Sequence, residues 1–288
     1  MTTEHPPTRE YVTSRDGTRI GYLRQGAGPG LVLVQGAMGT AEHYRQLAAA
    51  LAPYFTVHSV DRRGRASSPR PWDGSHHIAR DVEDLDAVLA ATGATRVFGL
   101  SSGAVITLEA ARTLPRITQV AVYEPPFYPE GINRDLVAQV GDEIARGDLP
   151  SALITSLLAA GTAPAPVRVL PRPPLRVLAA VVLAADAHAP GPAHMKLRRL
   201  LPGNRYDFSA VADMDGQMAT LAAVEQPVLL LSGTKSPAFL RRAVRTLHDV
   251  LPRAERIELD GLSHSGPWNS GRGGHPELVA STLRHFFA

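Results

Sequence analysis

A serine with glycine two positions away on each side, Gly99-Leu100-Ser101-Ser102-Gly103, stands where an apolar run meets a helical pattern. The run Arg96 to Leu100 enters it, and Gly103 to Leu114, halted by Pro115, leaves it. A tight strand–turn–helix junction forces its central residue into a strained backbone conformation and projects that side chain clear of the sheet. Its neighbours two positions away must then be small, so that strand and helix can approach. The Ser102 N–H, at the helix start, would face an oxyanion developing beside Ser101. The competing reading is an ordinary glycine-rich turn. A serine hydroxyl is a weak nucleophile and needs a base within hydrogen-bond reach. Of the 11 histidines, His264 fits best: Asp260-Gly261-Leu262-Ser263-His264 follows the last apolar run, at the sheet edge where Ser101 is expected. His275 competes, but His275-Pro276-Glu277 has the form of a helix start. His76-His77 is expected on the surface at another helix start, with no carboxylate cluster to suggest a metal.

Elements that could hold these residues recur along the chain. Leu31 to Val34, Thr56 to Val60, Arg96 to Leu100, Gln119 to Tyr123, Pro227 to Leu231 and Arg256 to Leu259 are compact runs suited to buried strands. Between them lie amphipathic helical patterns. In one, Ile78, Val82, Leu85, Val88 and Leu89 form a stripe ending at Gly93; in another, Thr40 can cap a helix through Tyr44, Leu47 and Leu51. Such alternation predicts an α/β fold with a mostly parallel sheet and helices on both faces. The stretch 125–224 breaks the alternation, being helical in pattern and studded with proline. It is expected to be an inserted helical cap that divides the core into 1–124 and 225–288. Its apolar residues should wall a pocket, with Pro164 to Pro174 gating entry.

Together, Leu33-Val34-Gln35-Gly36, Asp61-Arg62-Arg63-Gly64, Gly99 to Gly103, Pro227 to Gly233 and the late His264 resemble the α/β-hydrolase superfamily over nearly the whole chain. The resemblance implies an eight-stranded sheet, a helical cap, a Ser–His–acid triad, and an oxyanion hole from the N–H groups of Ala37 and Ser102. Two positions depart from the pattern. The loop after Val34 begins Gln35-Gly36 where His-Gly is usual, and the Gln35 amide is expected to hold the loop by hydrogen bonding. The acid usually follows the strand at Pro227 to Leu231, but that place holds Ser236, which cannot carry a negative charge. Some relatives, including certain haloalkane dehalogenases, place the acid after the preceding core strand. Glu124 stands there, and either it is the acid or it anchors the Pro125-Pro126 exit from the strand. Ser101 itself disfavours dehalogenase and epoxide-hydrolase chemistry, which need aspartate at the elbow. Asp61 is expected to hold its own turn.

Composition bounds the rest. The 288 residues carry a net charge of +3 and no cysteine, which excludes disulfides, thiol catalysis and cysteine–metal sites. Basic residues are scattered among carboxylates, so nucleic acid is not an expected partner. The longest apolar stretch, Val177 to Ala185, is too short to span a bilayer, and Met1 to Arg9 has no apolar core of a secretory signal. A soluble, cytoplasmic enzyme acting on a small molecule is expected, with self-association left open. Hydrolysis of an ester, thioester or lactone through a Ser101 acyl-enzyme needs no cofactor. Lyase, perhydrolase or cyclase chemistry in the same pocket, and non-catalytic ligand binding, stand as alternatives.

Overall fold

Alternate residues of each central strand point to opposite faces of the sheet, and both sets are apolar. That makes these strands suited to burial between two helical layers. A computed structural model of the chain describes residues 6–288; residues 1–5 of the polar N-terminal stretch lie outside them. The strands are β1 (Thr8–Thr13), β2 (Arg19–Gln25), β3 (Gly30–Val34), β4 (Thr56–Val60), β5 (Arg96–Leu100), β6 (Gln119–Tyr123), β7 (Val228–Gly233) and β8 (Ala254–Leu259). They form one eight-stranded sheet in the order β1-β2-β4-β3-β5-β6-β7-β8. Strands β3 to β8 pair in parallel, and only β1 with β2 and β2 with β4 are antiparallel. The six expected strands are all present. The β1–β2 hairpin, for which no apolar run was singled out, completes the eight.

Val32, Val34, Val97, Val120, Val122 and Leu230 face one layer, while Leu31, Leu33, Phe98, Leu100, Leu229 and Leu231 face the other. The first layer holds α2 (Ile78–Thr92) and α3 (Ser102–Thr113); the second holds α1 (Arg45–Leu51). Gly93 ends α2 at φ 68°, the left-handed conformation that a helix terminus favours for glycine. Between β6 and β7 the chain is helical: α4 (Arg134–Ala145), α5 (Leu149–Ala159), α6 (Ala165–Val169), α7 (Arg172–His188), α8 (Leu197–Leu200) and α9 (Asn204–Asp213). Val140 and Ile144 of α4 and Phe208 and Val211 of α9 join the same apolar cluster as α2 and α3. Leu175 and Ala179 of α7 instead make a small separate cluster with Ile154 of α5. Two helices complete the layers, α10 (Ala238–Val250) over β7 and β8 in the layer of α2 and α3, and α11 (Pro276–Phe287) beside α1. No helix among the described residues is long and apolar enough to cross a membrane.

Candidate active site

Ser101 lies between the end of β5 and the start of α3 at φ 55°, ψ −124°, a conformation that L-residues avoid unless their surroundings impose it. The glycines around it permit that junction. A Cβ on Gly99 would lie 2.5 Å from Thr107 Oγ1 and 2.6 Å from the Gly103 carbonyl oxygen, and one on Gly103 would lie 2.5 Å from the carbonyl oxygens of both Val34 and Gln35. The loop after β3 therefore packs directly against the start of α3. Ala37 on that loop and Ser102 line the same cavity as Ser101, and among the described residues neither backbone N–H has a hydrogen-bond acceptor.

Two more strand ends supply the partners. Glu124, just past β6, is fully buried and sits at φ 49°, so its side chain turns along the sheet edge. Its Oε1 accepts from the Gly233 N–H at the end of β7 (2.7 Å), and its Oε2 lies 2.6 Å from His264 Nδ1. A carboxylate can only accept, so Nδ1 carries the proton of this bond, and in the neutral ring Nε2 is the nitrogen with the lone pair. His264 lies on the loop after β8 and lines the cavity with Ser101. Tyr123 O–H donates to the Ser263 carbonyl (2.8 Å), tying that loop to β6. Burial and the neighbouring Glu124 charge push the Tyr123 phenol well up, which keeps it a donor. Glu124 thus reaches across to the strand end where the acid is usual, while Ser236 is a buried neutral residue whose N–H donates to the Gly233 carbonyl. His275 is exposed, precedes α11 and does not line the cavity.

Three expectations need correction. The Gln35 amide, wholly buried, has no hydrogen-bond partner among the described residues. The loop is held instead through its carbonyls, by Arg62 on Gln35 O (3.4 Å) and Arg65 on Gly36 O (3.1 Å). His76 is not a surface residue: its ring is buried, with Nε2 2.8 Å from Asp81 Oδ2. No residue from Pro164 to Pro174 lines the cavity, because α6 and the start of α7 lie outside its wall. Asp61 does hold its turn, accepting from Ser67 Oγ (2.6 Å) and from the Ala41 N–H (2.8 Å).

A buried ionic network under the elbow was not foreseen. Asp207 of α9 accepts from Arg62 Nη1 (2.6 Å), from Arg65 and from Ser102 Oγ (2.7 Å), while Arg62 also reaches Asp81 (3.2 Å). Burial alone would lower the Arg62 pKa, but Asp81 and Asp207 outweigh it and raise it. Two guanidinium groups and two carboxylates offset one another, as buried charge requires. The Asp61-Arg62-Arg63-Gly64 turn hints at half of this, but nothing in the sequence around Asp207 marks its partner role.

The cavity above Ser101 has a volume of about 520 Å³. Leu153 and Leu157 of α5, Phe208 and Val211 of α9, and a Tyr128–Phe239 stack (ring centroids 5.3 Å apart) supply apolar wall. Residues 31–282 match the family model for the alpha/beta hydrolase family. The chain belongs to that family. This alpha/beta hydrolase is 31% identical to the crystal structure of an alpha/beta hydrolase from Sphaerobacter thermophilus, with TM-score 0.79, covering 97% of this chain and all of that one. It is 27% identical over 276 residues, 91% of its own length and 96% of the other's, to a pimeloyl-[acyl-carrier protein] methyl ester esterase of Xanthomonas campestris pv. campestris. It also shares its fold with an enol-lactonase from Burkholderia xenovorans at 21% identity and TM-score 0.69, covering 96% and 99% of the two chains.

Proposed function

We propose that this alpha/beta hydrolase cleaves an ester, thioester or lactone of a small, largely apolar molecule, with Ser101, His264 and Glu124 as its triad. The observation that carries the reading is the 2.6 Å contact between the buried Glu124 carboxylate and His264 Nδ1, in a cavity shared with Ser101. Glu124 fixes the ring tautomer and stabilises the imidazolium. His264 Nε2 takes the Ser101 hydroxyl proton as Oγ bonds to the substrate carbonyl carbon, and the oxyanion is met by the N–H groups of Ala37 and Ser102. Imidazolium returns the proton to the departing alcohol or thiol. Water then repeats the sequence on the acyl-enzyme and releases the acid. The helical segment 125–224 acts as a cap, its α5 and α9 residues walling the acyl pocket. The esterase activity in the name of the Xanthomonas relative supports the same class.

The test is hydrolysis of p-nitrophenyl butyrate together with labelling by a fluorophosphonate. Turnover and labelling that both vanish in Ser101→Ala are expected. Labelling of Ser101 without hydrolysis of any short ester would favour non-hydrolytic chemistry, and no labelling at all would favour a ligand binder.

A further inference from the structure

The ionic groups around the cavity are balanced with one exception. Arg62 and Arg65 are offset by Asp81 and Asp207, and His264 by Glu124. Arg272, from the loop between β8 and α11, also lines the cavity, yet no carboxylate among the described residues lies within ion-pair distance of it. Its position is fixed all the same. The guanidinium stacks over the Trp268 ring at 4.1 Å, and Nη1 donates to the Met38 carbonyl at 3.2 Å. The acidic group whose charge is felt there is Asp186 of α7, whose Oδ2 is engaged by the Leu197 N–H (2.7 Å). Burial lowers the Arg272 pKa to about 10, so the group is charged at neutral pH while lacking the anion that would offset its desolvation.

We infer that Arg272 is a specificity residue that recognises an anionic group, above all a carboxylate, on the substrate. The inference rests on the proposed hydrolase reading and narrows its substrate class. A guanidinium held by one carbonyl and one ring face keeps most of its N–H donors for a ligand, in the fork geometry that suits a carboxylate. Met38 directly follows Ala37, and consecutive Cα atoms are about 3.8 Å apart, so adjacent residues of one loop set the short interval between the Arg272 anchor and the oxyanion position. A half-ester of a short dicarboxylic acid spans that interval. Its methylenes would run along the apolar wall of the cavity, its ester carbonyl at Ser101 and its free carboxylate at Arg272.

Two measurements test this, one of them independent of turnover. Calorimetry with glutarate and its neutral diamide should show wild type binding the diacid about 10- to 100-fold more tightly, the range for charge-assisted hydrogen bonds in a partly buried site. Arg272→Gln should abolish that preference and Arg272→Lys should retain part of it. In hydrolysis, the kcat/KM ratio of monomethyl to dimethyl glutarate should fall by a similar factor in Arg272→Gln. Equal binding of diacid and diamide by wild type would overturn the proposal. So would an Arg272→Gln protein that weakens both ligands equally, since Arg272 would then merely support the Met38 loop. Selective glutarate binding without hydrolysis of either ester would uphold the role of Arg272 and defeat the hydrolase reading alone.

Discussion

The carboxyl edge of the sheet and the helical segment above it are held by different forces. At the edge the backbone itself sets geometry: Ser101 at φ 55°, Glu124 at φ 49°, and Gly99 and Gly103 where any Cβ would collide. In the helical segment, side chains set it. Asp207 pins α9 to the core through two arginines, and apolar contacts do the rest. Further out, Val177, Leu178, Val181 and Val182 of α7 remain exposed, so this helix packs on one side only. On the proposed reading, the reacting groups sit where backbone geometry leaves few options, and the apolar wall of the pocket sits where packing can vary.

The comparison breaks most readily at the edge. Ser101→Ala should lower kcat by at least about 10⁴-fold, and His264→Ala nearly as much, while thermal midpoints stay close to wild type. His275→Ala should leave steady-state rates within about twofold. A His264→Ala enzyme with normal kcat would show that the wrong base has been named. Glu124→Gln should cost on the order of 10²- to 10⁴-fold in kcat, because the amide can present the wrong partner to Nδ1. A rate within threefold of wild type would mean that a Ser–His pair suffices.

The helical segment should respond in stability instead. Asp207→Ala leaves two buried guanidinium groups short of an anion and should cost about 3–5 kcal/mol in urea unfolding. A loss below about 1 kcal/mol would show that the junction rests on apolar contacts alone. At the edge, by contrast, only a backbone clash should cost stability: Gly103→Ala, which drives a methyl into the Val34 and Gln35 carbonyls, should cost about 1–3 kcal/mol.

The smallest effect is on pH dependence. Burial above all holds His43 near 3 and His58 near 4, against an ordinary value of 6.5. The folded state keeps both rings neutral, so their contribution is complete above pH 6.5 and is lost as pH falls towards 4. Buried Asp84, raised to about 6, acts in the opposite sense over the same window. The difference between wild type and His58→Gln isolates one histidine, and it should shrink by up to about 1.4 kcal/mol per pH unit below 6.5. A pH-independent difference would mean that His58 titrates normally when folded.

Legibility in the sequence followed the same division. The elbow at Ser101 and the place of His264 beside the same cavity were readable because a strained turn demands glycine at fixed spacing and a loop leaving a strand end lies at the sheet edge. The contact between Glu124 and His264 was legible only because Ser236 occupies the place where an acid is usual. The β1–β2 hairpin passed unnoticed because β1, at the sheet edge, is mostly polar, and β2 offers only the short buried stretch Ile20 to Leu23, interrupted by Gly21. Asp207, Arg272 and the particular residues of the cavity wall stayed hidden, since each depends on contacts between segments far apart in the chain, although 125–224 was expected to supply apolar wall. Gln35 misled because its type suggested a hydrogen bond that arginines elsewhere make to the backbone.

Covalent trapping tests the central claim most directly. Intact-protein and peptide mass spectrometry after brief exposure to a fluorophosphonate should find one adduct per chain, on Ser101, in wild type. Ser101→Ala should take up none, and Glu124→Gln should be labelled markedly more slowly than wild type. An adduct on any other residue, or labelling of wild type no faster than of Ser101→Ala, would contradict the assignment of Ser101 as the nucleophile.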